Sequence, residues 1–330
     1  MKLYHAHIYP MDREPIENGW VSIQDGKITE LGQGEIVPSP EDRDLAGGML
    51  LPGFVDAHTH LGIIENGIGF EGDDCNEASD PFTPQLRAID GINPMDRCFA
   101  EARRRGITAV LSSPGSANAC GGTMAILKTA GRMADRMQIG TGVKFALGEN
   151  PKSVYNDRDE TPITRMATAA MIREGLAKAQ RYQQELDFAE SDPDEHMPDY
   201  DAKSEALLPL LERDVKAHFH CHRADDICTA IRIAKEFNLD YVIIHGTEGH
   251  LISDILAEEN APVIAGPILC DRCKPEMQNL TISGPSIMQK AGVKLALCTD
   301  HPVIPIQYLP TTAALAVKGG MQREDALYAI

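Results

Sequence analysis

Basic clusters, long apolar runs and a dense cysteine framework are what this sequence lacks. Its 330 residues carry 31 Lys and Arg against 49 Asp and Glu, a formal charge of −18, and no basic run exceeds Arg103-Arg104-Arg105. Such a chain repels a phosphate backbone, so nucleic acid is not expected as a partner, and the triplet reads as the solvated end of a helix. No stretch reaches the roughly 18 consecutive apolar residues of a membrane span. Met1-Lys2-Leu3-Tyr4-His5 does not open a signal-peptide h-region. The expectation is a cytoplasmic protein with no membrane partner. The eight cysteines are scattered over a chain long enough to bury a core without disulfides. Cys270-Asp271-Arg272-Cys273 has the CxxC spacing but lacks the second ligand pair of a structural zinc site.

What is present fits a globular enzyme: 43% hydrophobic and 24% charged residues argue against disorder. The length suits one large barrel with a small accessory layer. Residues 1–50 read as that layer. Trp20-Val21-Ser22-Ile23 and Lys27-Ile28-Thr29-Glu30-Leu31 flank Asp25-Gly26, a strong hairpin signal. Residues 51–330 alternate apolar runs of strand length with longer helical segments, the pattern of βαβ units around a parallel sheet. The predicted strands are 54–58, 108–112, 142–147, 215–220, 241–245, 262–265 and 293–298. Asn93-Pro94 and Thr161-Pro162 read as helix starts, and a last helix is expected after Pro310. Residues 185–205, rich in Asp, Glu and Pro, read as a mobile acidic excursion.

Chemistry gathers at the strand ends. Asp56-Ala57-His58-Thr59-His60 places two histidines two apart, so both face one way on a strand and can reach one ion. His218-Phe219-His220-Cys221-His222 repeats the spacing, with the ligand among the three left open. Tyr241-Val242-Ile243-Ile244-His245 ends in a single histidine, and Leu295-Ala296-Leu297-Cys298-Thr299-Asp300 delivers a carboxylate. In parallel barrels the residues at these ends converge on the active site. Four strand ends carrying His, His, His and Asp each need a buried polar partner, which one shared metal centre supplies.

This ordered set, with Pro52-Gly53-Phe54-Val55 ahead of it, resembles the amidohydrolase superfamily, and within it the imidazolonepropionase-related branch. The resemblance covers nearly the whole chain outside the acidic excursion. It implies an α/β fold: a (β/α)8 TIM-type barrel loaded with one or two divalent ions, Zn²⁺ or a similar metal, and a β layer built from both chain ends. The C-terminal strands of that layer have no counterpart before Ile330, so the layer is expected to be partly unpaired. By the same resemblance His58 and His60 bind the first ion, His220 and His245 are the next ligands, and Asp300 is both ligand and general base. His218 and His222 stay as alternatives to His220. A bridging group is expected from Glu149, with a carboxylated Lys144 as the alternative.

The implied reaction is hydrolysis of a C–N bond in an amide, cyclic amide or peptide. A bound ion acidifies a water and polarises the carbonyl, while Asp300 carries the proton. Arg223, His250 and Asn150, just past strand ends, are the expected contacts to a small-molecule substrate, with Arg223 suited to a carboxylate. A dipeptidase, a deaminase of an aminated heterocycle and a non-catalytic scaffold are the competing readings. Assembly as a homo-oligomer is left open.

Overall fold

The computed structural model describes residues 1–192, 194 and 196–330. Two compact units divide it, Met1–Phe54 and Val55–Ile330. In the first, strands β1 (Lys2–Ile8), β2 (Ile16–Gln24), β3 (Lys27–Gln33) and β4 (Arg43–Leu50) form one sheet in the order β3-β2-β1-β4. Both turn residues between β2 and β3, Asp25 and Gly26, have positive φ (50° and 74°). That backbone matches the right-handed twist of a tight hairpin, which is why Asp-Gly is found there. Ala6, Ile8 and Val21 form the buried centre of this sheet.

The second unit holds an eight-stranded, mostly parallel sheet that forms a nearly closed barrel. Its strands are β5 (Phe54–Thr59), β6 (Ile107–Ser112), β7 (Cys120–Lys128), β8 (Gln138–Ala146), β9 (Ala217–Cys221), β10 (Tyr241–His245), β11 (Val263–Ala265) and β12 (Leu295–Leu297). From β8 to β12 every neighbouring pair is parallel. The departure from a strict (β/α)8 pattern is β7, antiparallel to both β6 and β8 and absent from the strands predicted above. The first and last strands meet just beyond β12. Asp300 N donates to the His58 carbonyl (3.1 Å) and His60 N to the His301 carbonyl (2.7 Å). The wholly buried Asp56 accepts from Thr299 Oγ1 (2.6 Å) across the same seam. Burial pushes the Asp56 carboxyl up to about 7 against these hydrogen bonds.

Helices cover the outer face of the barrel. The longest, Arg165–Ser191, buries Thr168, Ile172, Leu176, Ala179 and Tyr182 at spacings of three and four, which lays one stripe on the core. Its N-cap is Thr164, which accepts from Ala167 N, and not the Thr161-Pro162 pair. Likewise the helix Arg97–Arg104 is capped by Asp96, one turn after Asn93-Pro94. The expected acidic excursion is shorter than 185–205. The long helix runs to Ser191, and Ala202–Glu205 forms a helical turn held by Lys178–Asp201 (2.8 Å) and Tyr182–Glu205 (2.6 Å) contacts. Within the remainder, Pro193 and Glu195 lie outside the described residues.

Candidate metal centre

The parallel strands present their C-terminal ends to one cleft of about 290 Å³, lined by His60, His220, His222, His245 and Asp300 among others. Two groups of ligand atoms stand in and around it. In the first, Asp300 Oδ1 lies 3.4 Å from both His58 Nε2 and His60 Nε2. In the second, His220, His222 and His245 each offer a nitrogen within 4.8 Å of the others. The groups adjoin, since the His58 and His245 rings are 5.4 Å apart. Strand alternation explains the first pair: His58 is the penultimate residue of β5 and His60 follows its end.

Hydrogen bonds set which ring nitrogen is free. His60 Nδ1 donates to the Ser113 carbonyl (2.7 Å) and His245 Nδ1 to the Gly266 carbonyl (2.7 Å). Each therefore turns its Nε2 toward the cleft, the arrangement that orients metal-ligating imidazoles. His222 Nδ1 is bonded to Thr247 Oγ1 (2.7 Å). Both ring nitrogens of His58 and of His220, together with Asp300 Oδ1 and Glu276 Oε1, are buried and have no hydrogen-bond partner. Leaving such groups unpaired costs about 1–3 kcal/mol each, so their convergence calls for a shared partner. Divalent cations fit. Four ligand atoms at roughly 2.0–2.2 Å from a tetrahedral ion stand about 3.3–3.6 Å apart, close to the 3.4 Å separations around Asp300.

The electrostatics agree with ligation except at His60, where burial opposes protonation but Cys75 and Asp300 outweigh it and raise the imidazole to about 10. Burial, reinforced by neighbouring histidines, holds His220 and His245 well below their ordinary pKa, which keeps them neutral and able to donate lone pairs. For Asp300 burial opposes ionisation, but His245, His58 and His60 outweigh it and keep the carboxyl well below its usual range. Lys144, wholly buried in β8, is lowered to about 8 chiefly by burial. Among the described residues its Nζ reaches only Ser113 Oγ and the Pro114 carbonyl, both at 3.3 Å.

Not every residue expected at the site is there. Glu149 starts the helix Glu149–Asn156 directly after β8. Its carboxylate accepts from Glu276 N (3.4 Å), and it lines a separate cleft with Lys152, Arg165 and Arg223. Arg223 is committed to Asp225 through two bonds of 2.9 Å. His250 bonds the Thr247 carbonyl (3.0 Å) and does not line the metal cleft. His218 faces the same way as His220 but lies deeper, beside Lys144, outside both groups of ligand atoms. His222 does join the second group, and Asn150 does line the cleft.

Two residues the motif reading passed over are Lys274 and Glu276, in the segment after β11. Glu276 is 2% exposed, with Oε1 3.6 Å from His222 Nε2 and 4.0 Å from His220 Nε2. Their signal in the sequence is their place after a barrel strand, beside the Cys270/Cys273 pair that also lines the cleft.

A barrel with histidine and carboxylate clusters at its strand ends places the chain among α/β barrel proteins with candidate metal ligands at that end. The comparisons narrow it. No family model matches the chain. An amidohydrolase from Thermotoga maritima MSB8 is 41% identical, with a TM-score of 0.94 over 98% of this chain and 85% of that one. The amidohydrolase tasK of Hapsidospora irregularis is 29% identical over 345 aligned residues, 96% of this chain. The chain spans 34% of tasK's own length. An imidazolonepropionase of Caldanaerobacter subterraneus is 49% identical over 49 residues, 14% of this chain and 12% of that protein. The chain belongs to the amidohydrolase superfamily.

Proposed function

We propose that the chain is a metal-dependent hydrolase that cleaves a C–N bond in a small amide, cyclic amide or peptide. The observation that carries this reading is the convergence of unpaired, buried histidine and carboxylate atoms on one cleft at the strand ends. His58, His60 and Asp300 would hold one ion, and His220 and His245 the other, with His222 and Glu276 beside them. Zn²⁺ suits this nitrogen-and-oxygen donor set. When bound, such an ion supplies Lewis acidity, acidifying a coordinated water toward a pKa of about 7 and polarising the amide carbonyl.

The protein's own groups do the rest. Asp300 accepts the proton of the attacking water and returns it to the leaving nitrogen, and the neighbouring histidines that outweigh its burial keep it ionised for that role. Asn150, on the cleft wall, positions the substrate side. For the group shared between two ions, Lys144 is better supported than Glu149, because its ammonium nitrogen lies at the barrel interior with no carboxylate partner among the described residues. Carboxylation would require its uncharged amine, and burial makes that form more accessible.

The test is metal analysis of the purified protein followed by a screen of N-acyl amino acids, dipeptides, lactams and aminated heterocycles. The short likeness to imidazolonepropionase is a reason to include cyclic amides. The expected result is one or two divalent ions per chain and turnover of one amide class. Turnover of the aminated heterocycles alone would convert the reading to deamination. A His58→Ala, His60→Ala double variant that retains full metal content would overturn the ligand assignment, and a metal-loaded chain inert to all four classes would favour a non-catalytic scaffold.

A further inference from the structure

The cleft that holds the histidine clusters has one cation in its lining among the described residues, Lys274, and one carboxylate, Asp300. Lys144 is buried in β8 and does not line this cleft, and two nearby arginines are committed elsewhere. Arg223 is paired with Asp225 and Arg165 with Asp226 (3.0 Å), both beside the separate cleft of Glu149. Among the described residues Lys274 Nζ makes one hydrogen bond, to Asn150 Oδ1 (2.9 Å), and no carboxylate lies within ion-pair distance of it. An ammonium has three donors, so two are left to face the cleft. In a chain of net charge −18, a half-buried ammonium with free donors in the wall of a ligand cleft is a feature suited to an anionic ligand group.

We infer that Lys274, held in place by Asn150, anchors a carboxylate of the substrate, so that the cleft takes a small amide bearing one free carboxylate. The inference rests on the hydrolase reading above and adds a substrate class to it. The carboxylate role expected for Arg223 thereby passes to Lys274. Size and lining agree. About 290 Å³ sits at the small end of ligand sites. Ile64, Pro267, Met277, Pro302 and Val303 supply an apolar wall for a side chain or ring. A cleft with these parts suits an N-acylated amino acid or a compact cyclic equivalent better than an uncharged amide.

The experiment compares matched pairs: the N-acetyl derivatives of leucine, methionine and proline, each against its own carboxamide, with the metal-loaded wild type, Lys274→Met and Lys274→Arg. A charged hydrogen bond corresponds to about 10–150-fold in binding. The wild type is expected to favour the carboxylate member by that factor in kcat/KM. Lys274→Met should erase the preference, raising KM for the carboxylate member by about 10–150-fold more than for its carboxamide, and Lys274→Arg should retain it. Thermal melts check that both variants fold. Equal treatment of the two members by the wild type, or a Lys274→Met loss shared by both, overturns the anchor while leaving hydrolysis intact. If no pair is hydrolysed, calorimetric binding of the same compounds decides. Carboxylate-selective binding lost in Lys274→Met sustains the anchor although the hydrolase reading fails, and unselective or absent binding overturns it.

Discussion

Asp300 stands 3.4 Å from two imidazoles in a left-handed backbone conformation (φ 55°), a position where a non-glycine residue stores strain. Asparagine matches its volume and tolerates that backbone, so Asp300→Asn should fold normally. It cannot accept a proton from water, and turnover of an identified substrate should fall by about 10²–10⁴-fold or more. If Asp300 merely capped the turn, asparagine would serve as well and kcat would stay within about tenfold. A second contrast separates the bridging candidates: Lys144→Ala should lower the content of a second ion, and Glu149→Gln should leave it unchanged. Metal analysis of both variants reads this directly, and the reverse pattern would restore Glu149. The five proposed ligands could be picked out in the sequence because each stands at or just past the end of an apolar strand, where alternation fixes direction. Glu149 stands away from them for a physical reason. It follows a glycine after β8, but the chain enters a helix at once and carries the carboxylate toward the Glu276 backbone. Lys274 and Glu276 were not legible, since they belong to the single 3-10 turn Pro275–Met277 and its cap, too short for any periodicity to fix side-chain direction.

Strand β11 is only three residues long, yet the segment leaving it sets His245. The Gly266 carbonyl accepts from His245 Nδ1, and Gly266 itself has φ 139°, a conformation that side chains rarely adopt. A Cβ there would stand 2.5 Å from the Cys298 carbonyl oxygen of the next strand. Gly266→Ala is therefore expected to cost about 1–3 kcal/mol in urea denaturation and to weaken metal retention, because His245 loses the acceptor that fixes its tautomer. A variant with wild-type stability and metal content would show that this carbonyl does not position the imidazole. At this scale β10 was legible to the residue, being an unbroken apolar run. β7 was not: it opens with Cys120-Gly121-Gly122, and glycine weakens a strand signal. Its antiparallel course is set by its pairing with β6 and β8, information that no local window contains.

The barrel closes where its first and last strands meet, and the first ligand group lies on that seam. His58 and His60 come from β5, Asp300 from the segment after β12, and two backbone bonds join them, Asp300 N to the His58 carbonyl and His60 N to the His301 carbonyl. An ion shared by these three side chains would clamp the seam, whereas without it the buried histidines and Asp300 Oδ1 keep unpaired atoms there. Metal binding should then act as a tie between the two ends of the eight-stranded sheet. At a free-ion concentration 100 times Kd the stabilisation is about 2.7 kcal/mol, close to 100-fold in an opening equilibrium. Stripping the ion with a chelator should lower the melting temperature and speed amide exchange at His60 and Asp300 most. Amides inside the helix Arg165–Ser191 should change less, since their bonds are internal to the helix. Hydrogen-exchange mass spectrometry of the stripped and reloaded protein measures both regions at once. Uniform acceleration across the seam and the helix would mean that the ion stabilises the whole barrel without a local clamp. Unchanged exchange at the seam would remove the His58, His60 and Asp300 group from the metal centre.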